Sequence, residues 1–203
     1  MNKKMVILAL LLIGAYGVTA QNTVKEKLSE ADNAFQSGSL EDARFALQQS
    51  LVELDKLIGA EILKQLPTEL SGLTAEVEDD AVSGGTGFSG VYVKRYYPGE
   101  NQQDIDIEIV TNSPLLTMIN ASLTNPLLAS MSGGDQSVVK IDGYKSLLRK
   151  EEASNGGDRY EISIPINDSM ITVNCNGFSQ SEALNIANAL GIRAIAKIIG
   201  AGQ

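Results

Sequence analysis

Apolar residues recur every three or four positions between Thr23 and about Leu66, and every second position after Gly72. The first spacing belongs to α-helices and the second to β-strands. In the helical part, Val24, Leu28, Ala31 and Phe35 fall on one face of a first helix. Ser37-Gly38 ends it, glycine supplying the backbone freedom of a helix terminus. Ser39 stands as N-cap of a second helix, with Glu41 and Asp42 in its first turn, where the helix dipole favours acids. Its apolar stripe is Ala43, Leu47, Leu51, Leu54, Ile58 and Ile62, and Pro67 closes it. So short a link predicts two antiparallel helices.

The second part reads as strands and two further helices. A strand is predicted over 88–97. The run Asp104-Ile105-Asp106-Ile107-Glu108-Ile109 alternates with isoleucines inward and acids outward. Pro98-Gly99 and Glu100-Asn101 join the two as a hairpin. Ser113-Pro114 opens a helix as N-cap and first-turn proline, with Leu115, Met118, Ile119 and Leu123 as its stripe, and Pro126 kinks or ends it. Strands return at 138–141 and 144–150 around the turn Asp142-Gly143. After a turn at 154–158, Tyr160, Ile162, Ile164 and Ile166 share one strand face. Asn167-Asp168-Ser169 turns into a strand carrying Ile171, Val173 and Cys175. Ser179 and Glu182 form a capping-box pattern for a last, largely apolar helix running to about 199. The expected fold is α+β: an N-terminal helical hairpin (21–67), then a mainly antiparallel sheet with helices packed on it (72–203). A boundary near residue 67 predicts that the sheet part folds without residues 23–66 but loses its partner.

Two resemblances follow from these patterns. Ala31, Gly38, Ala43 and Leu47, within EADNAFQSGSLEDARFAL, resemble one tetratricopeptide unit, with small residues at the helix crossing. A lone unit cannot bury its own face, and no second copy follows. The hairpin is thus open to three uses: binding a protein, packing on its own domain, or pairing with a second copy. The segments IVTNSPL and KIDGYKSLLRKEE, with the terminal helix, are similar to the PsbP-like α/β sandwich of small secreted proteins. That resemblance covers about 72–200 and implies an accessory or binding role rather than catalysis. It assigns no functional residue.

Residues 1–20 change the picture of where the chain works. Lys3 and Lys4 precede an uncharged apolar run from Met5 to Gly14, and Val18-Thr19-Ala20 supplies small residues for cleavage. We read a signal peptide, an exported soluble protein starting at Gln21, and no stable membrane anchor after cleavage. Loss of two lysines takes the formal charge from −9 to −11. Such acidity argues against nucleic acid as a partner, because phosphate binding needs clustered Lys and Arg. Histidine is absent and Cys175 is the only cysteine. Ser-His-Asp and Cys-His catalysis and His/Cys zinc sites are therefore excluded, as is an intramolecular disulfide. Cys175 sits on the apolar phase of its strand and reads as a buried structural thiol.

Candidate chemistry is correspondingly thin. Asp104, Asp106 and Glu108, with Glu76, Glu78, Asp79 and Asp80 as a second cluster, read as solvated acids rather than a cation site, since no calcium-loop spacing is present. Glycines at 84–85, 87, 133–134 and 156–157 lack the P-loop Lys-Ser/Thr and read as turns. The candidate interaction surface is Tyr92, Arg95, Tyr96 and Tyr97 on the strand before the hairpin, with Phe35 and Phe45 on the helices; the alternative for the tyrosines is that an aromatic here completes the sheet core. The expected function is a non-enzymatic exported module that contacts a protein or itself, without cofactor or metal. The rivals are a carrier of a small apolar ligand held between the sheet and the last helix, and a hydrolase using paired carboxylates.

Overall fold

The computed structural model describes residues 21–85, 90–124, 135–152 and 157–200. The signal-peptide expectation, Pro126, and the glycines at 87, 133, 134 and 156 lie outside them. Helix α1 occupies 21–36, and α2 runs Leu40–Gln65 after a turn in which Gly38 adopts a φ of +81°. Ser39 holds the N-cap position of α2 as expected, but its side chain makes no capping hydrogen bond. A small hairpin follows, β1 (Glu69–Leu70) and β2 (Leu73–Thr74), turning through Ser71 and Gly72 at positive φ. A 3-10 turn at Val77–Asp79 leads to β3 (Ala81–Ser83).

The main sheet adds β4 (Tyr92–Pro98), β5 (Asp104–Val110), β6 (Asp135–Ile141), β7 (Tyr144–Glu152), β8 (Asp158–Ile166) and β9 (Ser169–Asn176). Its order is β3-β4-β5-β9-β8-β7-β6, antiparallel at every pairing. Helix α3 (Leu116–Thr124) lies between β5 and β6 in the chain; α4 (Gln180–Ala189) and α5 (Ile192–Ile198) follow β9. The class is α+β, with an N-terminal helical pair.

Period-two alternation sorts the sheet into two faces. Ile105, Ile107 and Ile109 stand opposite Cys175, Val173 and Ile171, which in turn face Tyr160, Ile162 and Ile164. All nine are buried in one core with residues of α4 and α5, such as Ile186, Leu190 and Ile195. The core also takes in Ile62 and Leu66 from the end of α2, against Val91, Val93 and Tyr97. The packed unit therefore begins inside α2, before residue 67.

Three local expectations change. The last helix is divided: Gly191, at φ +66°, separates α4 from α5, and the second piece buries Ile192, Ile195 and Ala196. The Ser179–Glu182 capping box at the head of α4 is present. Helix α3 begins at Leu116 rather than Pro114, because Ser113 and the two residues after it form a turn, with Leu116 N–H donating to the Ser113 carbonyl at 3.3 Å. The acids at 76–80 are not all solvated, since Asp80 pairs with Arg95 inside the protein. No helix among the described residues is long and apolar enough to cross a membrane.

Candidate functional site

The helical hairpin packs through small side chains. Ala43, Ala46 and Ser50 of α2 and Ala31 of α1 are buried. The large apolar residues are not. Leu40, Leu47, Leu51 and Leu54 return at three-, four- and seven-residue spacing, so they form one stripe along the outer half of α2, and each is at least 42% exposed. Phe45 on α2 and Leu28 and Phe35 on α1 are exposed as well. The expected stripe thus divides in two. Its small members and Ile62 face the protein, while its leucines face outward.

The end of α2 is held firmly on the sheet. Gly59 lies where the helix crosses β3 and β4: a Cβ there would overlap Val82 Cγ1 and come within 3.1 Å of Val91 Cγ1. Arg95 donates from Nη1 to the Leu66 carbonyl at 2.8 Å and from Nε to Asp80 Oδ1 at 2.8 Å, and its Nη2 pairs with Asp80 Oδ2. That fork-to-fork pair raises the Arg95 pKa, the hydrogen bonds to Asp80 being the main cause. The Tyr97 hydroxyl donates to the Pro67 carbonyl at 2.7 Å. Burial pushes the Tyr97 phenol up to about 12. Of the residues expected at an interaction surface, Phe35 and Phe45 are exposed, and Tyr92 and Tyr96 are half-buried on the outer sheet face. Arg95 and Tyr97 are buried and serve the seat of α2 instead.

The outer sheet face carries the polar phase of the strands, and register stacks it in rows. One row runs Tyr96, Asp106, Asn174, Glu161, Arg149, Gln136 across six strands, each residue opposite the next. The row on one side has Lys94, Glu108, Thr172, Ser163, Leu147 and Val138. Only the far end of the face is apolar. There α3 sits down with Leu116, Ile119 and Leu123 on Leu147 and Met170. The polar end stays open as a cleft of about 420 Å³ beneath the edge of α3.

Lys94 bridges Asp106 Oδ2 at 2.5 Å and Glu108 Oε1 at 3.3 Å, and Tyr92 also donates to Glu108, at 3.2 Å. The Lys94 pKa is raised, chiefly by its hydrogen bond to Asp106. Burial raises the Asp106 carboxyl, with Lys94 opposing. Among the described residues no group of three or more His, Cys, Asp and Glu side chains converges to hold a metal ion. On the other side of the sheet, its buried residues share one core with those of α4 and α5.

Sequence reasoning missed the cleft. The alternation of Asp104–Val110 was legible, but Arg149, Arg159 and Glu161 join it only once strand order and register are known. One signal was present: the polar phases of three strands, Asp106-Glu108, Thr172-Asn174 and Arg159-Glu161-Ser163, each offset one residue from an Ile/Val run.

Compared with known proteins, the chain matches no family model, no curated protein and no solved structure. The likenesses to the tetratricopeptide unit and to PsbP-like sandwiches rest on the residues that suggested them.

Proposed function

We propose that this protein is an exported, non-enzymatic scaffold that self-associates through its helical hairpin. The observation carrying this reading is the stripe Leu40, Leu47, Leu51 and Leu54, exposed on a helix whose opposite end is anchored in the core. Contiguous exposed apolar surface on a protein marks an interaction site. The partner that suits it is a second copy. A hairpin that packs internally through alanines leaves its leucines for a facing hairpin, and two hairpins together make a four-helix bundle. The likeness to a tetratricopeptide unit, which needs a stacked neighbour, points the same way. Cleavage of residues 1–20 leaves this surface at the start of the mature chain, and N-terminal sequencing of the exported protein tests that step.

Sedimentation over a concentration series tests the association. The expected result is a dimer that becomes a monomer in Leu47→Glu/Leu51→Glu, with the melting temperature of the dilute, monomeric wild type, because both positions are exposed in the single chain. Each copy carries a net negative charge, so dimerisation strengthens as salt screens the repulsion. A wild type that stays monomeric at high concentration and high salt overturns the reading.

A further inference from the structure

Among the described residues, four buried side-chain atoms lack a hydrogen-bond partner, and all four lie on the outer sheet face. Asp106 Oδ1, Arg149 Nε and Gln136 Oε1 belong to the single polar row, and Arg159 Nε to the row beside it. Asp106, Arg149 and Arg159 line the cleft. A buried polar atom without a partner costs free energy, and three of these four lie just beneath the floor of one cleft, where a ligand's polar groups would relieve that cost by drawing the side chains toward them. The arginines here are only partly engaged. Arg149 reaches Glu161 at 3.4 Å and Glu151 at 3.5 Å; Arg159 donates from Nη2 to Asn174 Oδ1 at 3.0 Å, while its Nε stands 3.9 Å from Glu151. Arg95, by contrast, is clamped on Asp80 by two bonds in fork geometry.

The distribution of charge narrows the ligand. A free acceptor sits on β5 and free donors sit on β8 and β7. The cations Lys94, Arg149 and Arg159 balance the acids Asp106, Glu108 and Glu161, which disfavours a polyanion or a metal ion. Above this floor the wall is aliphatic: Leu115 and Met118 of the α3 segment are both more than half exposed over it, beside Ile119 and Met170. Among the described residues no aromatic ring lines the cleft, so they supply no flat platform of the kind that suits a sugar ring. β5 and β8 are two strand spacings apart, about 10 Å, and an extended peptide advances about 3.3–3.6 Å per residue.

We propose that this cleft binds a short peptide with free termini and an apolar side chain. Its ammonium group meets the Asp106 carboxylate, its carboxylate meets the Arg159 and Arg149 guanidiniums, and its side chain lies on Leu115 and Met118. A length of two or three residues matches the span, and the volume is that of a small-molecule site. The site is separate from the hairpin and stands or falls independently of self-association.

Calorimetric titration of the exported chain with the tripeptide Ala-Leu-Ala tests this. The expected result is saturable binding that weakens about tenfold on N-acetylation and again about tenfold on C-amidation, the loss of one charge-assisted contact each time. Arg159→Gln weakens the free peptide by a similar factor and makes it indifferent to C-amidation. Met118→Asp, at an exposed wall position, supplies a second variant should Arg159→Gln lower the melting temperature. Absence of heat at about 10 mM peptide, a blocked peptide that binds like the free one, or a wild-type affinity in both variants overturns the proposal.

Discussion

At the scale of single residues, burial does more than charge to set the chemistry of this chain. Cys175 has no exposed surface, and its thiol is pushed up to about 12 by desolvation, with Asp104 adding to the shift. Tyr97 is displaced upward for the same primary reason. The sign of the consequence follows from linkage. Unfolded, the thiol and phenol ionise near their ordinary values of 9.0 and 10.0, whereas the folded chain keeps both protons until about pH 12. Between those limits the unfolded chain binds fewer protons, so stability falls as pH rises, by at most about 1.4 kcal/mol per pH unit for each group. Urea denaturation at pH 8 to 11 should show a loss beginning above pH 9 and steepening above pH 10, with a shallower slope in Cys175→Ala. A Cys175→Ala slope equal to wild type would remove the thiol from this account. The burial of Cys175 was legible in the sequence because it shares a strand phase with Ile171 and Val173. The pairing of Asp80 with Arg95 was not, since fifteen residues separate them and only the docking of the 3-10 turn beside β4 brings them together.

Among the elements, α2 performs two tasks that its sequence presents as one. Its period is continuous from Ala43 to Ile62, which made the helix easy to read and its division impossible to read. The division comes from what each half meets. The first half buries only small residues, Ala43, Ala46 and Ser50, whereas in the second half Gly59 and Ile62 pack against the sheet. Gly59 is informative because two effects oppose each other there. Alanine would gain about 1 kcal/mol in helix propensity, while its methyl would overlap Val82 and press on Val91 and Val93. Overpacking costs about 1–3 kcal/mol, and β-branched valines have little freedom to move aside. We therefore expect Gly59→Ala to lower the denaturation midpoint and Val82→Ala in the same chain to recover part of the loss. A single Gly59→Ala chain more stable than wild type would mean that α2 does not lie this close to the sheet. Strands were more legible than helix ends. The isoleucine alternations of β5 and β8 fix which face is inward, whereas the break at Gly191 is hidden in an apolar stretch that continues on both sides of it.

For the whole molecule, the relation between hairpin and sheet decides how the chain can be divided. Sequence period places a boundary near residue 67, but packing places it within α2. Ile62 and Leu66 are almost wholly buried against β4 and its neighbours, and the Leu66 carbonyl accepts from Arg95. Fully burying such side chains contributes about 1.5–3 kcal/mol each, and an unsatisfied charged donor left at Arg95 adds a further cost. Together these approach the 5–15 kcal/mol total stability of an ordinary domain. Two deletions separate the alternatives. Removing residues 21–50 takes away α1 and the first half of α2 but keeps Ile58, Gly59, Ile62 and Leu66. This shorter chain should unfold cooperatively, near the wild-type midpoint, and should be monomeric by sedimentation. Removing residues 21–66 strips the sheet of its cover over Val91, Val93 and Tyr97, and should give a chain without a cooperative transition that aggregates through the bared β3–β4 edge. If the larger deletion also melts cooperatively, α2 is an accessory to the sheet and the hairpin is a separable module from end to end. If the smaller one fails to fold, the outer hairpin supports the core in addition to any partner it holds.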